Sequence, residues 1–261
     1  TLNPSSAASD VYKRQGRYHM DLDARSASLT GDEKIVLFCS PHNPGGRVWS
    51  SDELQQLADF CETHDLTLIS DEVHNDLVYK GNQHHVLAKT VPSIRCRLVT
   101  LVATTKTFNL AGCMIGSMVV ADDALRLRLA RVAHGAAGMS FNRIGMLMCT
   151  AAWEHGDEWL DALLVYLAEN KRILDEAMAL IPGVQSMPLE ATYLCWVDFA
   201  DTGMDRAEFT RRVEQQAQIA VNHGHSFGVG GDSFLRFNIA CRRDLVIEAA
   251  ERLKNAFSDL Q

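Results

Sequence analysis

Apolar residues along this chain gather in short unbroken runs, and between the runs they recur at the spacing of one helix face. Leu98-Val-Thr-Leu-Val-Ala103 is long enough for one buried strand, and Ile35-Val-Leu-Phe-Cys39 and residues 66–69 predict two more. After the second of these runs, Ser50 and Glu53 have the spacing of a capping box, and Leu54, Leu57, Ala58 and Cys61 follow at i, i+3, i+4 and i+7. A helix is therefore predicted from Ser51 to near His64, completing a βαβ unit. Residues 77–93 read as loop, 115–121 as a strand, and 122–132 as a helix broken by Gly135-Ala-Ala-Gly138. Residues 144–153 are apolar all round but too few to cross a membrane, so they predict a buried helix. A long amphipathic helix follows, marked by Leu160, Leu163, Leu164, Leu167, Leu174 and Met178, and it stops at Pro182-Gly183.

Beyond it the order of elements changes. Strands at 192–199 and 234–240 alternate with helices at 205–217 and 244–257, with a Gly-rich loop over 224–231. The fold class predicted is α/β, a mostly parallel sheet over 16–155 followed by a linking helix (156–181) and a smaller α+β domain (182–261). Residues 1–15 are small and polar, without periodicity or the apolar core of a signal peptide, and read as a disordered or appended tail.

Composition narrows the function classes. A net charge of -8 argues against a nucleic-acid surface, which needs clustered Lys and Arg. The 7 cysteines are scattered without a Cys-x-x-Cys pair, which suits reduced thiols and a cytoplasmic location better than disulfides or zinc. No run of 18 apolar residues occurs, so no membrane-spanning helix is expected.

Candidate chemistry lies at the ends of the predicted strands. Parallel sheets bind ligands outside the carboxyl ends of their strands, and there stand Asn43 in Ser40-Pro-His-Asn-Pro-Gly-Gly46, Asp71 in Ser70-Asp-Glu-Val-His74, and Lys106. Lys106 reads either as a surface loop lysine or as a desolvated amine able to form a Schiff base. Arg236, flanked by Leu235 and Phe237 in a strand, reads either as a salt-bridged structural residue or as a fork for a carboxylate. His84-His85 reads as a solvated loop, and His223 and His225 lack a third ligand, so no metal site is expected.

Taken together, Ser40-Pro-His-Asn-Pro-Gly-Gly-Arg-Val-Trp49, Ser70-Asp-Glu-Val-His-Asn-Asp-Leu77, Thr105-Lys-Thr-Phe-Asn-Leu-Ala-Gly112 and Phe234-Leu-Arg-Phe-Asn-Ile-Ala-Cys241 resemble the fold-type I pyridoxal-phosphate enzymes of the class I/II aminotransferase superfamily. Within it they most resemble the MalY/PatB-type cystathionine β-lyases, the C–S lyases. The resemblance implies pyridoxal 5'-phosphate as cofactor, with Lys106 as its covalent attachment point and the carrier of the substrate Cα proton. It implies Asp71 against the pyridine nitrogen, Asn43 on the phenolic oxygen, Thr105 on the phosphate and Arg236 on the substrate carboxylate. His74, three residues after Asp71, replaces a tyrosine common in aminotransferases and is counted with the cofactor-binding residues. Met114, eight residues past Lys106, replaces a phosphate-binding arginine, and Ala103 replaces a residue that carries a phosphate hydroxyl in many relatives. His74 and Met114 both resemble the lyase branch.

The implied reaction is α,β-elimination of an S-substituted L-cysteine to thiol, pyruvate and ammonia, by a homodimer acting on a small amino-acid substrate. An aminotransferase is the alternative, and a regulatory binding protein or an inactive fragment are the others. The match begins near Gly16, and family members carry a substantial N-terminal portion before that point, so the chain is expected to be the C-terminal part of such an enzyme.

Overall fold

A computed structural model describes residues 11–14, 16–135 and 142–260. In chain order the strands are β1 (Val11–Arg14), β2 (Arg17–Met20), β3 (Ile35–Cys39), β4 (Thr67–Asp71), β5 (Leu98–Val102), β6 (Ser117–Val119), β7 (Gln185–Ser186), β8 (Leu194–Asp198), β9 (Asn222–His223) and β10 (Phe234–Asn238). The α-helices are α1 (Leu22–Ser28), α2 (Ser51–Thr63), α3 (Leu87–Thr90), α4 (Thr104–Thr107), α5 (Asp123–Gly135), α6 (Arg143–His155), α7 (Asp157–Ala179), α8 (Arg206–Arg211) and α9 (Arg243–Ala256).

The chain divides into two compact units, one made of Thr1–Met20, His42–Arg47 and Leu163–Gln261, the other of Asp21–Pro41 and Val48–Ala162. The second unit holds the four-stranded sheet β3-β4-β5-β6. β3, β4 and β5 are parallel, and β6 returns antiparallel to β5. α2 starts where the capping pattern placed it: the Ser50 hydroxyl accepts from the Glu53 amide while the Glu53 carboxylate accepts from the Ser50 amide at 2.9 Å. Its apolar stripe, Leu54, Leu57, Ala58 and Cys61, is fully buried, as a period of 3.6 residues requires of a helix lying on a sheet.

The first unit is built on the antiparallel sheet β7-β8-β10-β9. β8 is buried along its whole length, and its Trp196 stacks on Phe234 with ring centroids 4.8 Å apart. The indole N–H donates to the Tyr18 hydroxyl at 2.7 Å, so β2 is joined to this core through one polar contact within an apolar cluster. α7 is tied in by the buried Asn170, whose amide donates to the carbonyls of Ile239 at 2.9 Å and Cys241 at 3.0 Å. The segment His42–Arg47 is packed so closely that side chains are excluded: a Cβ on Gly45 would lie 2.5 Å from the His42 ring, and Gly46 has φ +68.

Four expectations from the sequence change. Val11–Arg14, within the stretch read as an unstructured tail, pairs with β2, Val11 opposite Met20; residues 1–10 and 15 lie outside the described residues. The loop expected over 77–93 contains α3, and a 3-10 turn, Pro92–Arg97, follows at once. α5 runs past its expected end at 132 as far as Gly135, and residues 136–138 of the expected break lie outside the described residues. α6 was expected to be buried, yet Ile144, Leu147 and Trp153 are exposed, and in this helix only Gly145 and Cys149 are buried. A helix apolar on every side needs neighbours on every side, and among the described residues α6 has them along one strip only. No described helix is long and apolar enough to cross a membrane.

The buried His42 gives a test of this packing. Burial holds its pKa down at about 4, with the nearby Arg47 charge acting in the same direction. Below the ordinary value near 6.5 the unfolded chain takes up a proton that the folded chain refuses, so stability falls with pH from there to about 4. The full loss is roughly 3 kcal/mol for this one group. Thermal unfolding across this window is expected to show a shallower pH dependence in His42→Asn than in the wild type; equal slopes would contradict the burial.

Candidate active site

The parallel register decides what meets at the sheet edge. Cys39 lies opposite Asp71, and Asp71 lies opposite Leu101, so three strands end at one level. The ends are clamped through the backbone: the Ser40 N–H donates to the Asp71 carbonyl at 2.9 Å, and the Glu72 N–H donates to the Leu101 carbonyl at 2.9 Å. From β5 the chain turns through Ala103 directly into α4, which carries Lys106.

Asp71 closes β4 and is half-buried. Burial raises its carboxyl pKa, while the Val73 N–H, donating to its Oδ1 at 3.3 Å, and the Lys106 charge both pull it down. Neighbouring Glu72 adds a smaller upward push. Lys106 is exposed among the described residues, so the desolvated pocket expected for it is not built by them. Its link to Asp71 is one of charge. Thr105 is half-buried, while the Thr104 hydroxyl is buried with no hydrogen-bond partner. Thr107 anchors the turn by donating to Asp76 at 3.0 Å. His74 is 3% exposed and therefore part of the interior of this unit.

Asn43 and Arg236 lie in the other unit and touch each other. The Arg236 Nη1 donates to the Asn43 Oδ1 at 2.7 Å, and Nη2 donates to the Asn222 Oδ1 at 2.9 Å. The β9–β10 register sets Asn222 opposite Arg236, and the guanidinium lies over the Phe227 ring at 4.6 Å. Burial lowers the Arg236 pKa. Every one of these partners is neutral. Arg236 is half-buried and is held by these neutral partners, and among the described residues it makes no salt bridge.

Three participants carried no signal that single-sequence reading could use. Asn222 and Phe227 reach Arg236 through strand pairing and a 3-10 turn. His84 was expected to be solvated; its side chain is 7% exposed and its Nε2 lies 3.0 Å from Glu72, which is itself 1% exposed. No cluster of three or more metal-ligating side chains occurs among the described residues.

Residues 6–253 match the model of the aminotransferase class I and II family. Cystathionine beta-lyase PatB of Bacillus subtilis is 31% identical over 254 residues, covering 95% of this chain and 65% of that protein. Protein MalY of Escherichia coli is 32% identical over 247 residues, covering 94% of this chain and 63% of its own length. Among solved structures, cystalysin from Treponema denticola, which contains a pyridoxal 5'-phosphate cofactor, superposes with a TM-score of 0.91 at 34% identity, covering 96% of this chain and 64% of that one. The chain thus spans just under two thirds of the length of each of these relatives.

The coupling of Asp71 to Lys106 can be measured without any ligand. Lys106→Met removes the cation that lowers the Asp71 pKa, so the Asp71 carboxyl midpoint, followed by carbon NMR against pH, is expected to rise further above the ordinary aspartate value. An unmoved or lowered midpoint would separate the two residues.

Proposed function

We propose that this chain, which belongs to the aminotransferase class I and II family, forms the lysine- and arginine-bearing part of a pyridoxal-phosphate-dependent carbon–sulfur lyase acting on S-substituted L-cysteines. The observation that carries the proposal is the placement of half-buried Asp71 at the end of β4 and of Lys106 just past the end of the adjacent parallel strand β5, where the Lys106 charge helps to lower the Asp71 pKa. The lyase assignment within the family draws on the two relatives above, one of them named as a cystathionine β-lyase, and on His74 and Met114.

The residues suit the cofactor. A partly desolvated carboxylate is a fitting partner for a protonated pyridine nitrogen, and the Thr104 hydroxyl is a buried polar group still in need of an acceptor or donor. Bound pyridoxal phosphate supplies an electron sink for a carbanion at the substrate Cα. Lys106 would hold the cofactor, and its Nζ would take the substrate Cα proton. Asp71 keeps the ring nitrogen protonated, and Thr105 contributes a hydroxyl to the phosphate. His74 packs beside the Asp71 turn as part of the cofactor-binding set.

Arg236 grips the α-carboxylate with its fork. Its donors face the Asn43 oxygen, which leaves the Asn43 NH2 as the donor for the phenolic oxygen of the cofactor. The substrate would lose its Cα proton to Lys106 and its sulfur from Cβ as a thiolate, which takes up a proton; the remaining three-carbon enamine would take up water and end as pyruvate and ammonia. The working protein is proposed to be a homodimer.

Amino-group transfer is the second reading, because the family is described as aminotransferases and the same residues serve that reaction. Full-length protein supplied with cofactor and cystathionine is expected to release thiol, pyruvate and ammonia in equal amounts, and Lys106→Ala to lose about a thousandfold in rate. Amination of an added keto acid without pyruvate release would make it an aminotransferase.

A further inference from the structure

We propose that Glu72 and His84 are positioning residues that hold the Asp71 carboxylate in register for the cofactor's ring nitrogen; this rests on the role given to Asp71 above. Successive residues at a strand end point to opposite sides, so the two neighbouring carboxylates of Asp71-Glu72 face different surroundings. Asp71 is half-buried, and its side chain accepts one hydrogen bond, from the Val73 N–H of its own turn. Nothing else among the described residues fixes that carboxylate by a hydrogen bond, so its place is set by its backbone.

Glu72 fixes the backbone. Its carboxylate accepts from the Ser70 hydroxyl at 2.9 Å, from His84 Nε2 at 3.0 Å and from the Leu87 N–H at 3.4 Å, while its own N–H is held by Leu101. The Glu72 carboxylate thereby ties the end of β4 to the loop before α3 and to the first residue of α3, while its backbone N–H ties the same strand end to β5. A carboxylate closed off from water is tolerated only while its donors stay in place, so the three donors and the strand end move as one body.

The Nδ1 of His84 is buried with no partner, which leaves Nε2–H as the donor toward Glu72. That arrangement costs an unsatisfied polar atom. A histidine serving only to fill space would be replaced by an apolar side chain at no such cost.

The test separates positioning from plain stability by asking for an effect confined to the ring nitrogen. In the full-length protein, affinities are measured by fluorescence for pyridoxal phosphate and for its analogue with CH in place of the ring nitrogen. Wild type is expected to prefer the natural cofactor, and Asp71→Asn to lose that preference. His84→Ala is expected to lose about tenfold of the preference, the worth of one charge-assisted hydrogen bond, and to add nothing in the Asp71→Asn background. His84→Gln, whose terminal amide reaches the place of Nε2, is expected to restore it.

Should His84→Ala not fold, His84→Asn takes its place, since its shorter amide falls short of Glu72. Equal weakening of both ligands, or no change in either, overturns the positioning role while leaving the Asp71 assignment intact. A wild type without any preference overturns the Asp71 assignment, and the role of Glu72 and His84 with it.

Discussion

The level ending of β3, β4 and β5 is the constraint on which the rest of the second unit depends. Cys39, Asp71 and Leu101 lie abreast because the parallel ladder admits one register in which Leu68 and Phe38 both turn inward. A slip of one residue would send every side chain to the opposite face, carrying Glu72 to the place of Asp71. The pairing of the apolar core therefore also decides which of two adjacent carboxylates meets the Lys106 charge. Packing and chemistry are written into the same few strand residues.

The two ends of the proposed substrate are handled by groups in contrasting states. Arg236 is held by two asparagine oxygens and an aromatic face, none of which cancels its charge, and burial lowers its pKa. If it takes the carboxylate role proposed for it, a side chain held in that way loses little conformational freedom on binding. Lys106 is exposed among the described residues, and the attachment role proposed for it needs a side chain free to move. Its restraint comes from its neighbours in sequence, the Thr107–Asp76 bond above all.

Local patterning was enough to read β3, α2, β4, β5, α7 and α9 from the sequence, because each combines an apolar period with a capping or turn residue. Asn43, Asp71, Lys106 and Arg236 could be singled out since each stands where a charged or amide side chain interrupts or closes such a run. What stayed hidden depends on distant partners. The burial of His84 exists only through Glu72, and the contact of Asn222 with Arg236 exists only through a two-residue strand. The exposure of α6 was missed for the same reason, since composition says that a helix wants neighbours but not whether they are there.

The most direct measurement of the central claim, that Lys106 is a cofactor lysine poised by Asp71, is chemical. Full-length protein is mixed with pyridoxal phosphate, reduced with borohydride and digested, and the pyridoxyl-bearing peptide is located by mass spectrometry. The account predicts one labelled site, Lys106, with labelling sharply reduced in Asp71→Asn. Label spread over the surface lysines, or concentrated on any lysine other than Lys106, would contradict it.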